Sequence, residues 1–284
     1  MSRVGIVTDT TSCLPPELVE EYGIRIAPVG LVIGGQHYKD TELTNKEFWQ
    51  LFYAVKGSST TAAASPGDFA SIFEELSKST DSIVCIVVSK ALSATFEAAT
   101  DGKALVREKK PEVNIEILDS RTSAGALGFV VLEAARVAKA GKNLEEVIRT
   151  ANDMIPKVKF VTAMDTLKYL IKSGRAPKTA VIGDVLGVKP IIGMLSNTGL
   201  VENLGRARGK QKALAKIAEL AKEHTKPGKK VHAMFHYTDG IAAGETLRDI
   251  ITSQIDCDEV YLTPYTPVMA SATGPVVALS FYSD

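Results

Sequence analysis

The sequence predicts an α/β protein: a parallel sheet covered by helices in its first part, then a second α/β unit with a mixed sheet. Three observations lead there. Strand-like and helix-like segments alternate from the N-terminus, the order that builds parallel sheets. Ile83 to Val88 is almost unbroken in apolar residues, as in a strand with both faces covered. Asn197-Thr198-Gly199, between two strand-like runs, signals a hairpin and hence antiparallel pairing. The 284 residues suffice for two domains. The change of pattern near Pro156 divides them at 1–157 and 158–284.

Val4 to Val7 reads as the first strand, closed by the turn-prone Thr8-Asp9-Thr10-Thr11-Ser12. Pro15 to Tyr22 reads as a short helix with proline near its start. Ile24 to Ile33 is apolar and β-rich, and Gly34-Gly35 turns it into Gln36 to Asp40. Phe48, Leu51, Phe52 and Val55 give helical spacing over 45–55. Ser65-Pro66-Gly67-Asp68 combines a capping serine, a first-turn proline and an acid three residues on, the start of a helix with Phe69, Ile72, Phe73 and Leu76 inward. After the strand ending at Val88, a helix opens near Ser93 and runs to about Lys110. Ile115 to Leu118 is a strand and Ala124 to Ala140 a long helix. Beyond the division come a strand (159–164), a helix (166–172), hairpin arms (188–195 and 199–204) and a helix (209–224). A strand (231–236), a helix (242–251) and two more strands (259–263 and 276–282) complete the chain.

Composition excludes several functions. Lysine plus arginine equals aspartate plus glutamate at 33 each, so global charge points to neither nucleic acid nor an anionic membrane. The three cysteines, Cys13, Cys85 and Cys257, are far apart, without metal-ligand spacing and in keeping with a reducing cytoplasm. No apolar stretch approaches the ~20 residues that span a bilayer. The N-terminus lacks the apolar core of a signal peptide, so the expectation is a cytoplasmic protein. Gly205-Arg206-Ala207-Arg208-Gly209-Lys210 is one residue short of a Walker loop and is followed by no Ser or Thr. No Gly-x-Ser-x-Gly elbow is present. No metal and no cofactor are expected.

The candidate chemistry sits in two hydroxyl-bearing stretches, Thr60 to Pro66 and Leu92 to Thr95. Both read as loops that open helices, where free N–H groups favour a small anion. Ser65 is accounted for as a cap, and Ser93 can serve as one. Thr61 has no local structural task. If both loops belong to one parallel sheet, Thr61 and Ser93 converge at its edge, and with the Ala94 N–H they suit a carboxylate. Arg175, set between Gly174 and Ala176, can bridge to an anion. Arg206 and Arg208, with Lys210, Lys212 and Lys216, form either a solvated face or a phosphate-attracting cluster. His236, at a strand end, is either a binding residue or a hydrogen-bonded residue of the sheet.

Val7-Thr8-Asp9-Thr10, Thr61-Ala62-Ala63-Ala64-Ser65-Pro66 and Leu92-Ser93-Ala94-Thr95 occur in order with Leu118-Asp119-Ser120, Gly125 and Gly128. Leu170-Ile171-Lys172-Ser173-Gly174-Arg175 and Thr273-Gly274-Pro275 follow. Together they resemble the DegV family of bacterial fatty-acid-binding proteins along nearly the whole chain. The resemblance implies two α/β domains around a buried long-chain fatty acid, its carboxylate held by Thr61 and Ser93. It also implies presentation of that acid to a separate fatty-acid kinase that makes acyl phosphate, with Arg175 near the phosphate or the kinase contact. A monomer without catalysis of its own is expected. The sequence departs from the family pattern at Ala272, where a histidine is usual, at Val276, at Ala94 and at Ala62-Ala63. The competing class is a small-molecule kinase-like or transferase enzyme that binds phosphate through Arg175 and the Arg206/Arg208 cluster.

Overall fold

The computed structural model describes residues 4–177, 187–238 and 240–284. The chain begins with β1 (Val4–Asp9), α1 (Pro16–Tyr22), β2 (Arg25–Ala27), β3 (Gly30–Ile33) and β4 (Gln36–Lys39). It continues with α2 (Asn45–Ala54), β5 (Ser59–Ala62), α3 (Pro66–Leu76), β6 (Ser82–Val87) and α4 (Thr95–Lys109). Then come β7 (Asn114–Asp119), α5 (Ala124–Lys139), α6 (Leu144–Met154), β8 (Lys159–Met164) and α7 (Lys168–Lys172). β9 (Val188–Met194), β10 (Glu202–Arg208), α8 (Lys210–Glu223), β11 (Val231–Tyr237) and α9 (Ala242–Thr252) follow. β12 (Cys257–Pro264), α10 (Pro267–Thr273) and β13 (Val276–Ser283) complete the fold.

The α/β class holds. A parallel sheet has the order β2-β1-β6-β7, and a mixed sheet the order β10-β9-β8-β13-β11-β12. A small antiparallel sheet, β4-β3-β5, was not legible in the sequence as a separate unit. The apolar run 24–33 is broken at Pro28, which cannot donate a ladder bond. Its first part joins the parallel sheet and its second the small one. α6 was also missed, although Asn143 and Glu146 form a capping box at its start. α10 is a third omission.

α5 packs against β1 and β13 and so sits between the two large sheets. Its glycines permit that approach: a Cβ at Gly125 would lie 2.6 Å from His236 Nε2, and one at Gly128 would lie 2.8 Å from Ser12 O. One apolar core runs from Val7 and Phe73 through Phe129 to Phe160 and Met234. A smaller one fills the space between the mixed sheet, α8 and α9.

Candidate functional site

Thr61 lies on β5, opposite Leu31 of β3, and not in a strand-to-helix loop of the parallel sheet. β5 is held against α10, where Ser271 donates to Ser59 at 2.7 Å. Ser93 does come from the loop after β6. That loop is pinned by Val88 N–H donating to Asp9 Oδ2 at 2.9 Å and Ser89 N–H donating to Thr122 O at 2.9 Å. Ser93 does not cap α4, whose N-cap residue is Ala94 with no side-chain bond. Instead Ser93 Oγ accepts from Thr95 N–H at 3.3 Å and lies 2.8 Å from Thr95 Oγ1.

Thr61 and Ser93 nevertheless line one cavity. Most of its wall is apolar, with Val29, Val88, Phe160, Leu170, Ile192 and Val268 from six segments of the chain. A second cavity is lined by Ser59, Thr60, Tyr169, Lys172, Ser173 and Ser271. Thr61, Arg175 and Ala272 line both. The arrangement is an apolar chamber beside a polar vestibule, with these three residues at their junction. A larger open groove along α1 and β2 contains none of the predicted site residues.

Arg175 Nε donates to Leu92 O at 2.7 Å, which ties α7 to the Ser93 loop. Burial holds its guanidinium below the usual value. No carboxylate pairs with it among the described residues. A partly desolvated guanidinium without an acid is a ready receptor for an anion. Thr61 Oγ1 likewise has no partner among the described residues. Thr95 is buried and orients Ser93, whereas Ala94 is exposed and outside the cavity wall.

The other expected contacts lie elsewhere. Arg206 and Arg208 are exposed on β10, at the edge of the mixed sheet, and line neither cavity. The expectation of a loop there fails because the second hairpin arm continues to residue 208. His236 is fully buried and reaches neither cavity. Its Nε2 accepts from Gly125 N–H at 3.1 Å, with Ser280 Oγ at 3.2 Å. Burial pushes its pKa down to about 3, so the ring is neutral, and the accepting Nε2 puts its proton on Nδ1. Of the two readings of His236, the sheet residue is the one its position supports.

Behind Thr11, which touches the chamber, lies a buried acidic pair. Asp9 accepts from Thr11 Oγ1 at 2.5 Å and Thr11 N–H at 2.9 Å, yet burial keeps its carboxyl above the usual range. Asp40 accepts from Val29 N–H at 3.1 Å. Burial pushes its pKa to about 7, and its Oδ2 has no partner.

The sequence model of the DegV family, described as uncharacterised proteins, matches residues 3–284. The chain belongs to the DegV family. A DegV domain-containing protein from Caldanaerobacter subterraneus is 34% identical over 224 residues, 78% of each chain. The structure of a DegV family protein from Thermus thermophilus, described for its fatty acid binding, superposes with a TM-score of 0.88 at 28% identity. The match covers 99% of this chain and all of that one. DegV from Bacillus subtilis, described as a fatty acid binding protein, gives a TM-score of 0.87 at 26% identity over the full length of both. The family resemblance carried by the Thr61, Ser93 and Arg175 motifs therefore holds. Among the described residues, no helix is long and apolar enough to cross a membrane.

Proposed function

We propose that this DegV protein binds a long-chain fatty acid, the tail in the apolar chamber and the carboxylate at Thr61, Ser93 and Arg175. One observation carries the proposal. At the junction of chamber and vestibule, Thr61 offers a hydroxyl with no partner and Arg175 a cation with no acid among the described residues. A carboxylate satisfies both, and an unpaired buried charge is expensive. Burying about 14 methylenes at ~0.8 kcal/mol each gives about 11 kcal/mol gross, from which association and ordering costs are subtracted. Family membership and the fatty acid binding described for the Thermus thermophilus and Bacillus subtilis relatives support the same ligand.

The vestibule supports a second step, presentation of the carboxylate to a separate fatty-acid kinase. Lys172 and Arg175, with the hydroxyls of Ser59, Thr60 and Ser173, suit an acyl phosphate's added charge. Ala272 at the junction supplies no histidine to that step. In this scheme the protein works as a monomer, and the parts before and after about residue 157 close over the chain. In support, the parallel and small sheets draw all their strands from before that point, and the mixed sheet all of its own from after it.

Denaturing mass spectrometry of the purified protein tests the proposal. A co-purified long-chain fatty acid is the expected result. Protein that carries no lipid and takes up none when offered stearate contradicts it.

A further inference from the structure

Six hydroxyl-bearing residues line the apolar chamber, and four are engaged within the protein. Thr11 Oγ1 donates to Asp9 Oδ1 at 2.5 Å. Thr162 Oγ1 donates to Val277 O at 3.1 Å, and Thr273 Oγ1 to Met269 O at 2.9 Å. Ser93 Oγ pairs with Thr95 Oγ1 at 2.8 Å. Thr61 is the fifth, and the carboxylate accounts for it. Ser123 is the sixth: it is 6% exposed, and its hydroxyl touches only Met194 Sδ, at 3.6 Å. A thioether is a weak acceptor, so this hydroxyl is left nearly unpaired in an apolar wall.

The local backbone makes that state specific. Ser123 holds the N-cap position of the 16-residue α5, where a serine ordinarily accepts from the first turn, but it makes no cap bond. The Gly125 N–H goes to His236 Nε2 instead. Arg121 and Ala124, on either side, have φ of 54° and 53°, a strained region for residues other than glycine. Strained flanks and a histidine standing in for the cap leave the serine hydroxyl with the thioether of Met194 alone, in a residue that lines the chamber. Ser123 is not among the residues that line the vestibule, which sets it apart from the junction where the carboxylate is placed. A plain alkyl chain passing it would leave this hydroxyl with only a weak thioether acceptor and nothing to accept from, which is less favourable than a polar partner.

We propose that the chamber is built for an acyl chain that carries a hydroxyl along its length, with Ser123 Oγ as that hydroxyl's partner. This rests on the acyl-binding function proposed above and names the class of acid. A chain hydroxyl can both donate to and accept from Ser123, so no proton need move and no charge is buried.

Calorimetry on the delipidated full chain tests it, with stearate and a positional series of hydroxystearates as probes. At least one mid-chain isomer should bind about fivefold tighter than stearate. Ser123→Ala should abolish that preference and leave stearate affinity within about threefold. The inference is overturned if every isomer binds no better than stearate, as when a water fills the site. It is also overturned if the preference survives in Ser123→Ala, or if that variant loses affinity for stearate itself, which would put Ser123 in the carboxylate clamp. A wild-type protein that binds neither probe removes the acyl-binding function and this inference together; stearate binding without an isomer preference removes only the inference.

Discussion

The mouth of the apolar chamber and the polar cluster at the end of β1 are built from similar side chains in opposite states. In the cluster, Asp9 gathers two bonds from Thr11 and one from Val88 N–H, and His236 accepts from Gly125 N–H. Asp9 and His236 bond only to groups of the protein itself and line neither cavity. At the mouth, Thr61 has no partner among the described residues, and Arg175 spends one donor on Leu92 O. Hydrogen-bonding capacity left open toward a space, rather than polarity itself, therefore distinguishes the proposed binding site from the structural polar groups around it.

The contrast can be broken most severely at Arg175. Arg175→Gln keeps a donor but removes the charge, and stearate affinity measured by calorimetry should fall about 30-fold or more. Unchanged affinity would place the carboxylate elsewhere. On the closed side, His236→Ala leaves Gly125 N–H without its acceptor and creates a cavity in the core. Chemical denaturation should show a loss of about 3 kcal/mol, with stearate affinity within about threefold of wild type in the folded protein. A large affinity loss at intact stability would erase the difference between the two regions.

Asp40 sharpens the comparison through pH. Its carboxyl is raised from 3.8 to about 7, so between those values the folded protein holds a proton that the unfolded chain has released. Stability from this group is fully present below about pH 4 and is lost as pH rises toward 7. Asp40→Asn, which keeps an acceptor for Val29 N–H, should match wild type in Tm near pH 4. Near pH 8 it should exceed wild type by several degrees. Parallel Tm profiles for the two proteins would show that Asp40 is ionised in the fold. The smallest effect belongs to the exposed edge: Arg206→Ala with Arg208→Ala should change stearate affinity by less than about twofold, and a larger change would draw β10 into the site.

Much of this was legible in the sequence where one segment carries its own signal. The Ser65 cap, the apolar strand before Ser93 and the Asn197-Thr198-Gly199 turn all appear where local rules put them. Thr61 was picked out because no local task explained it, yet its setting was misjudged. β5 is a four-residue, largely polar strand that exists through its pairing with β3, and nothing in Ser59-Thr60-Thr61-Ala62 announces that partner. The chamber wall was illegible for the same reason, since Val29, Phe160, Ile192 and Val268 meet only after three sheets are assembled. His236 shows the converse limit. A strand-end histidine suits a site on paper, but its ring is taken up by Gly125 of a helix 111 residues away in sequence. Ser123 shows the same limit, since a serine at a helix start reads as a cap and only the fold shows that it makes no capping bond.

The most direct measurement is calorimetric titration of stearate into the delipidated wild-type protein and into Thr61→Val and Ser93→Ala. Thr61→Val removes the unpartnered hydroxyl while keeping its shape, and Ser93→Ala removes the one that Thr95 orients. Each variant should retain the wild-type fold and bind roughly tenfold more weakly, with saturation still at one acid per chain. Wild-type affinity in both variants would contradict a carboxylate held between Thr61 and Ser93.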